Sequence, residues 1–149
     1  MPSSGTLSHI DISVGSPEKS IPFYNVLLSG LGYKRMETDH PGFAGPNPSR
    51  AWWSIRYSDG GRFGIEVRPA HENKRDRRYD RYEPGPHHLA FHAESPEAID
   101  QIFRAMQGIG AEILDAPTDY SGQAGYSEGY YAAFFSDPDG VKLEIVYLP

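Results

Sequence analysis

A histidine stands eight residues before the proline of a Ser-Pro-Glu twice in this chain, and both times the local pattern is the same. In Ser8-His9-Ile10-Asp11-Ile12-Ser13-Val14-Gly15-Ser16-Pro17-Glu18, His9 precedes Pro17 by eight positions; in His88-Leu89-Ala90-Phe91-His92-Ala93-Glu94-Ser95-Pro96-Glu97, His88 precedes Pro96 by eight. The offset between the copies is 88 − 9 = 79 residues in a chain of 149. A repeat of that length inside a chain of one ordinary domain's size points to two halves of a single domain, residues 1–149, rather than two independent ones. The halves run over about residues 7–69 and 86–148, with a polar linker at 70–85.

Each half opens on an alternating segment. Ile10, Ile12 and Val14 lie on one face of an extended strand and His9, Asp11 and Ser13 on the other. Ser16 before Pro17, and Ser95 before Pro96, have the chemistry of a helix N-cap followed by proline at the first helical position. Pro22 interrupts the first helical pattern, so the helix either kinks there or starts later with Ser20 as cap. Both helical patterns end on glycines, Gly30 and Gly32 in one half and Gly108 and Gly110 in the other. Short strands follow over 33–38 and 112–114, separated by loops at 39–48 and 115–129 from a closing hairpin. The first hairpin joins 51–57 to 62–68 through Asp59-Gly60-Gly61; the second joins 130–136 to 141–147 through Asp137-Pro138-Asp139-Gly140. The order in each half is β-α-β-β-β, an α+β class without the spacing of a doubly wound parallel sheet.

The hairpins carry a second matched residue. Glu66 lies seven positions after Asp59, and Glu144 seven after Asp137. Alternation places His9, Glu66, His88 and Glu144 on the polar face of their strands, because Ile10, Ile65 and Val67, Leu89, Leu143 and Ile145 take the other. If a pseudo-twofold axis relates the halves, two imidazoles and two carboxylates converge, a donor set suited to a divalent ion such as Ni, Zn, Mn or Fe(II). His87 falls on the apolar face and reads as structural; His92 shares the face of His88 and lines the cavity; His40 and His71 read as surface.

Composition removes several classes. A net charge of −6 argues against a nucleic-acid surface, and the basic run from Lys74 to Arg81 is broken by Asp76 and Asp80. With no cysteine there is no disulfide, thiol nucleophile or thiolate metal site. No apolar run is long enough to span a membrane, and no signal-peptide core is present, so a soluble, cytoplasmic protein is expected.

The pattern Ser8-His9-Ile10, Phe23-Tyr24, Leu31-Gly32-Tyr33, His88-Leu89-Ala90-Phe91 and Phe135-Ser136-Asp137-Pro138-Asp139-Gly140 with Leu143-Glu144 resembles the vicinal oxygen chelate superfamily. That group includes glyoxalase I, fosfomycin- and bleomycin-resistance proteins, methylmalonyl-CoA epimerase and extradiol dioxygenases. The resemblance covers 7–147 and implies tandem βαβββ modules forming one curved, mixed eight-stranded sheet, an incomplete barrel with helices outside. It implies His9, His88 and Glu144 as metal ligands, with Glu66 matching a fourth ligand of glyoxalase I. It further implies a homodimer acting on a small molecule, with a divalent metal and no organic cofactor.

The function expected is a lyase or isomerase that binds two neighbouring substrate oxygens and stabilises an enediolate, with Glu144 or Glu66 as base. Trp52, Arg56, His92, Tyr126 and Tyr130 are expected to line the substrate cavity. An Fe(II) extradiol dioxygenase using His9, His88 and Glu144 is one alternative. A resistance protein that binds an antibiotic without turnover is another.

Overall fold

Alternation and hairpin chemistry build the same small sheet twice. The computed structural model describes residues 4–36 and 49–149. The chain divides into two compact units, Met1–Arg77 and Arg78–Pro149.

In the first unit β1 (His9–Val14) leads into α1 (Pro17–Gly30), then β2 (Lys34–Arg35), β3 (Ala51–Arg56) and β4 (Arg62–Pro69), in the sheet order β1-β4-β3-β2. The first strand lies parallel to the last and the others are antiparallel. One face is apolar: Val14, Trp53, Ile65 and Val67 are fully buried with Tyr24, Leu27 and Leu28 of α1. The Trp53 indole donates to Asn25 of that helix at 3.2 Å, which fixes the helix on this face. Pro22 is exposed inside α1 and the helix runs through it without restarting at Ser20. Its missing N–H frees the Glu18 carbonyl near the helix surface, where water can satisfy it.

The second unit repeats the plan with β5 (Leu89–His92), α2 (Pro96–Gly108), β6 (Glu112–Asp119), β7 (Tyr131–Ser136) and β8 (Lys142–Tyr147), ordered β5-β8-β7-β6. Ile99 and Met106 of α2 are fully buried with Phe135, Leu143 and Ile145, and the Phe103 and Phe135 rings lie 6.3 Å apart. Ser95 caps α2, its hydroxyl accepting from the Ala98 N–H at 3.1 Å; Ser16 before α1 makes no such bond.

Four expectations are corrected. The strands form two four-stranded sheets, not one eight-stranded sheet. Each module closes its own ladder, and the 70–88 segment holds only a 3₁₀ turn at Glu72–Lys74 and turns that add no strand. The strand read at 112–114 extends to Asp119, through Pro117. It is an edge strand, and register shifts between Ile113 and Asp115 and between Asp115 and Thr118 accommodate the proline. The strand read from His87 begins at Leu89, so His88 sits just before it. Only Lys34–Arg35 of the 33–38 strand pairs; residues 37–38, and His40, lie outside the described residues. No helix among the described residues is long and apolar enough to cross a membrane.

Candidate functional site

The two glutamates are positioned by the turns that precede them. Asp137, itself buried, accepts from the N–H groups of Asp139 (2.9 Å) and Val141 (2.8 Å), while Gly140 takes a φ of +98° that a side chain would strain. That turn fixes the β7–β8 register, in which Phe134 stands opposite Glu144. Asp59 does the same with Gly61 N–H at 2.7 Å, and Trp52 stands opposite Glu66. On the other side, parallel pairing sets Asp11 against Glu66 and Ala90 against Glu144. Each histidine therefore lies two residues from its glutamate's partner, on the same face and away from the helix.

From this shared frame the two units differ. In the second, His88 Nε2 lies 3.0 Å from Glu144 Oε2. The Tyr130 hydroxyl donates to Glu144 Oε1 in a short hydrogen bond, and His88 Nδ1 lies 2.8 Å from His87 Nδ1. Glu144 is 2% exposed, and no Lys or Arg among the described residues pairs with it. A proton has to lie between Nε2 and Oε2, since a bare nitrogen lone pair facing a carboxylate at that distance would repel it. Tyr130 is held above the ordinary tyrosine range by burial first, then by the hydrogen bond to Glu144 and its charge, so it remains a donor. His87 is held below the ordinary histidine range by partial desolvation, then by His88, Lys142 and Arg81.

Around this network lies a second apolar patch, on the face opposite α2. Ala132, Phe134 and Val146 are buried there, with Leu114, Tyr120 and Tyr130 packed against them. The rings of Tyr120 and Tyr126 stack at 4.8 Å, and Tyr126 meets Tyr130 at 4.8 Å edge-on. A buried carboxylate, an exposed imidazole and a half-buried phenol thus sit beside an aromatic wall.

The first unit spends its carboxylate differently. Glu66, 5% exposed, receives the Arg50 guanidinium through Nε at 2.6 Å and also through Nη2. Asp11 faces Arg68 at 3.7 Å. His9 is exposed, 3.2 Å from the Ser8 hydroxyl, with its ring 5.8 Å from that of Trp52. Trp52 lies flat over Gly64, where any Cβ would collide with its ring.

Of the residues singled out in sequence, the structure joins His88, Glu144, Tyr130 and Tyr126 in one cluster, and sets His9 beside Trp52. Within the first unit no bond links His9 to Glu66. Arg56 ends β3 exposed, opposite Arg62, and His92 is exposed on β5. His87 is corrected: it is exposed, against Tyr82 and His88, because the strand begins after it. Arg50 and Lys142 were not among the residues singled out in sequence, and Arg50 had no repeat partner to flag it.

Among the described residues, no three His, Asp or Glu side chains are grouped so as to hold a metal ion. The donor chemistry of His88 and Glu144 nevertheless fits two positions of a divalent site. Their facing atoms share one proton that a cation would replace, and the second atom of each is already oriented by a neighbour. Glu66 differs from Glu144 in that its Oε1 already accepts charge-assisted bonds from Arg50 Nε and Nη2.

Comparison with known proteins agrees with this architecture. Residues 6–145 match the family model described as Glyoxalase/Bleomycin resistance protein/Dioxygenase superfamily. The protein YqjT of Bacillus subtilis (strain 168), itself uncharacterised, is 32% identical over 140 residues, 94% of this chain and 97% of its own length. A crystal structure of a glyoxalase candidate from Bacillus halodurans is 26% identical with a TM-score of 0.73, covering 97% of both chains. A glyoxalase/bleomycin resistance protein from Albidiferax ferrireducens T118 is 28% identical with a TM-score of 0.58, covering 96% of this chain and 98% of that one. The chain belongs to the glyoxalase/bleomycin-resistance/dioxygenase superfamily.

Proposed function

We propose that this protein is a glyoxalase-type lyase or isomerase that moves a proton on a carbon next to a carbonyl, with a divalent metal ion held by His88 and Glu144. The observation that supports this most is Glu144, a carboxylate 2% exposed whose partners are a phenol and an imidazole rather than a permanent cation. A buried anion left in that state is suited to a mobile positive charge, a proton or a metal ion. A divalent ion would supply Lewis-acid stabilisation of negative charge on substrate oxygens.

The chain's own residues do the rest. Glu144 is the base that takes the substrate proton, with Tyr130 on its Oε1 and His88 facing its Oε2. Tyr130 keeps its proton and holds Oε1, which fixes the direction from which the base approaches. His87 steadies the His88 ring through Nδ1. Tyr120, Tyr126 and Phe134 exclude water on one side and offer an apolar surface to the substrate.

The test is metal content and proton exchange together. Purified protein is expected to carry a divalent ion in stoichiometric amount and to lose it in Glu144→Gln and His88→Ala. It is expected to exchange deuterium into 2-oxoaldehyde adducts at the carbon beside the carbonyl, and Glu144→Gln to abolish that exchange. Iron with oxygen uptake on a catechol would replace this reading with the dioxygenase one. The Arg50–Glu66 pair and the tyrosine wall favour a second reading, a metal-free binding protein. Its mark would be ligand binding that chelators leave untouched, with no metal in the purified protein.

A further inference from the structure

Two cations beside the His88–Glu144 pair have no carboxylate partner among the described residues. Lys142 alternates with Glu144 along β8 and so lies on the same face; its Nζ sits 4.4 Å above the ring of Phe134. That ring is 6.5 Å from the ring of His88. Arg81 lies near His87: its guanidinium is 5.0 Å from the centre of Tyr82, whose ring meets that of His87 at 5.6 Å. Arg81 Nε is buried without a hydrogen-bond partner, a polar group kept from water with nothing to bond.

The segment that carries Arg81 is tied at both ends. Tyr79 N–H donates to the Asp139 carbonyl at 2.8 Å, and its hydroxyl to the Pro86 carbonyl at 2.5 Å. A Cβ on Gly140 would come within 2.9 Å of Arg78 Cγ and 3.0 Å of the Tyr79 carbonyl, so glycine is what lets this segment lie against the turn. Arg81 is therefore held near the histidines by the turn that also sets Glu144 in register. Arg78 is engaged elsewhere, paired with Glu112 at 3.0 Å.

We propose that Lys142, Arg81 and His87 form an anion-receiving rim beside His88, so that the molecule worked on at His88 and Glu144 carries a carboxylate or phosphate group. The aromatic wall of Tyr120, Tyr126 and Phe134 would take the apolar part of the same molecule. Lys142 is then the specificity-determining residue: it is a strongly hydrated point charge that gains most from meeting an anionic oxygen at the edge of an apolar surface. The inference rests on the reading of His88 and Glu144 as the working pair.

Three probes separate the possibilities: phenylpyruvate, phenyl phosphate and the neutral ketone phenylacetone. Their dissociation constants are measured by calorimetry on the full chain, as wild type, Lys142→Met, Lys142→Arg and Glu144→Gln. At least one anion is expected to bind, and Lys142→Met to weaken it about tenfold, the loss of one charged hydrogen bond. Lys142→Arg should retain most of that affinity, and binding of phenylacetone should not change. Response of phenylpyruvate alone identifies a carboxylate, and of phenyl phosphate alone a phosphate. Absence of anion binding, or equal weakening of the neutral ketone, overturns the proposal. Failure of the pair is read separately: wild type without metal or deuterium exchange sinks the enzymatic reading, while the difference between anion and neutral probe still reports on Lys142.

Discussion

Glu66→Gln separates two accounts of the first unit. If Glu66 ligates a metal, as the repeat suggests, the substitution lowers metal content and changes stability little in the metal-free protein. If Arg50 already claims the carboxylate, metal content is unchanged and stability falls. The magnitude follows from burial. Glu66 has 7% of its side chain exposed and Arg50 27%. Breaking a fully buried pair costs about 3–5 kcal/mol, and a bond to a charged group is worth about 1.5–3 kcal/mol. The partial exposure of Arg50 lets water recover part of that loss, which leaves about 2 kcal/mol. In a chain of this size that corresponds to a melting shift of about 4–8 °C. Both tryptophans of the chain, Trp52 and Trp53, lie in the first unit, so tryptophan fluorescence follows that unit alone. Arg50→Met in the Glu66→Gln background should recover much of the loss, since no guanidinium is then left unpaired. Loss of metal from Glu66→Gln with an unchanged melt would refute the reasoning.

The helix caps differ in a way that mutation can measure. Ser95→Ala should cost about 1 kcal/mol and Ser16→Ala only a few tenths, because Ser95 alone bonds its helix, as read by urea denaturation. Gly64→Ala should destabilise the first unit by about 1–3 kcal/mol and shift the tryptophan emission, because the new methyl group displaces the Trp52 ring; an unchanged spectrum would count against that contact. Tyr131 donates to Asp100 at 2.8 Å and is pushed up to about 12 by burial and then by that bond. Its folded value lies above the unfolded one near 10, so its stabilisation is complete below pH 10 and disappears as pH rises through about 12. Tyr131→Phe should remove that alkaline component, and absorbance at about 295 nm should show one fewer late-titrating phenol.

The modules were legible because alternation and turn chemistry act locally. Ile10, Ile12 and Val14 against His9, Asp11 and Ser13 gave the strand and both its faces, and Asp137-Pro138-Asp139-Gly140 gave the hairpin and its register. What escaped depends on partners distant in sequence. Pro117 looks like a strand breaker until β6 is known to be an edge, with a free side for a residue lacking an N–H. The symmetry does not extend to the side-chain partners: Glu66 and Glu144 occupy matched positions, yet one meets Arg50 and the other Tyr130. The repeat reports backbone equivalence and is silent about which side chain arrives from the neighbouring segment. His87 shows the same limit, since a strand starting two residues later than expected exposes a side chain that alternation had buried.

The strand order β5-β8-β7-β6 also says when the working pair can exist during synthesis. β5 is made before α2, β6 and β7, but its only neighbour in the sheet is β8, the last of the five to leave the ribosome. Until then β5 has no ladder to join, and His88 waits for Glu144, 56 residues further on. A contact of that range forms against a large loop entropy and belongs to the late steps of folding. α2, β6 and β7 can assemble earlier, since each lies close in sequence to its neighbour. A nascent chain stalled before Lys142 would therefore hold a helix and a hairpin with no proton-transfer pair. The chemistry proposed for this protein would switch on with the insertion of a single central strand.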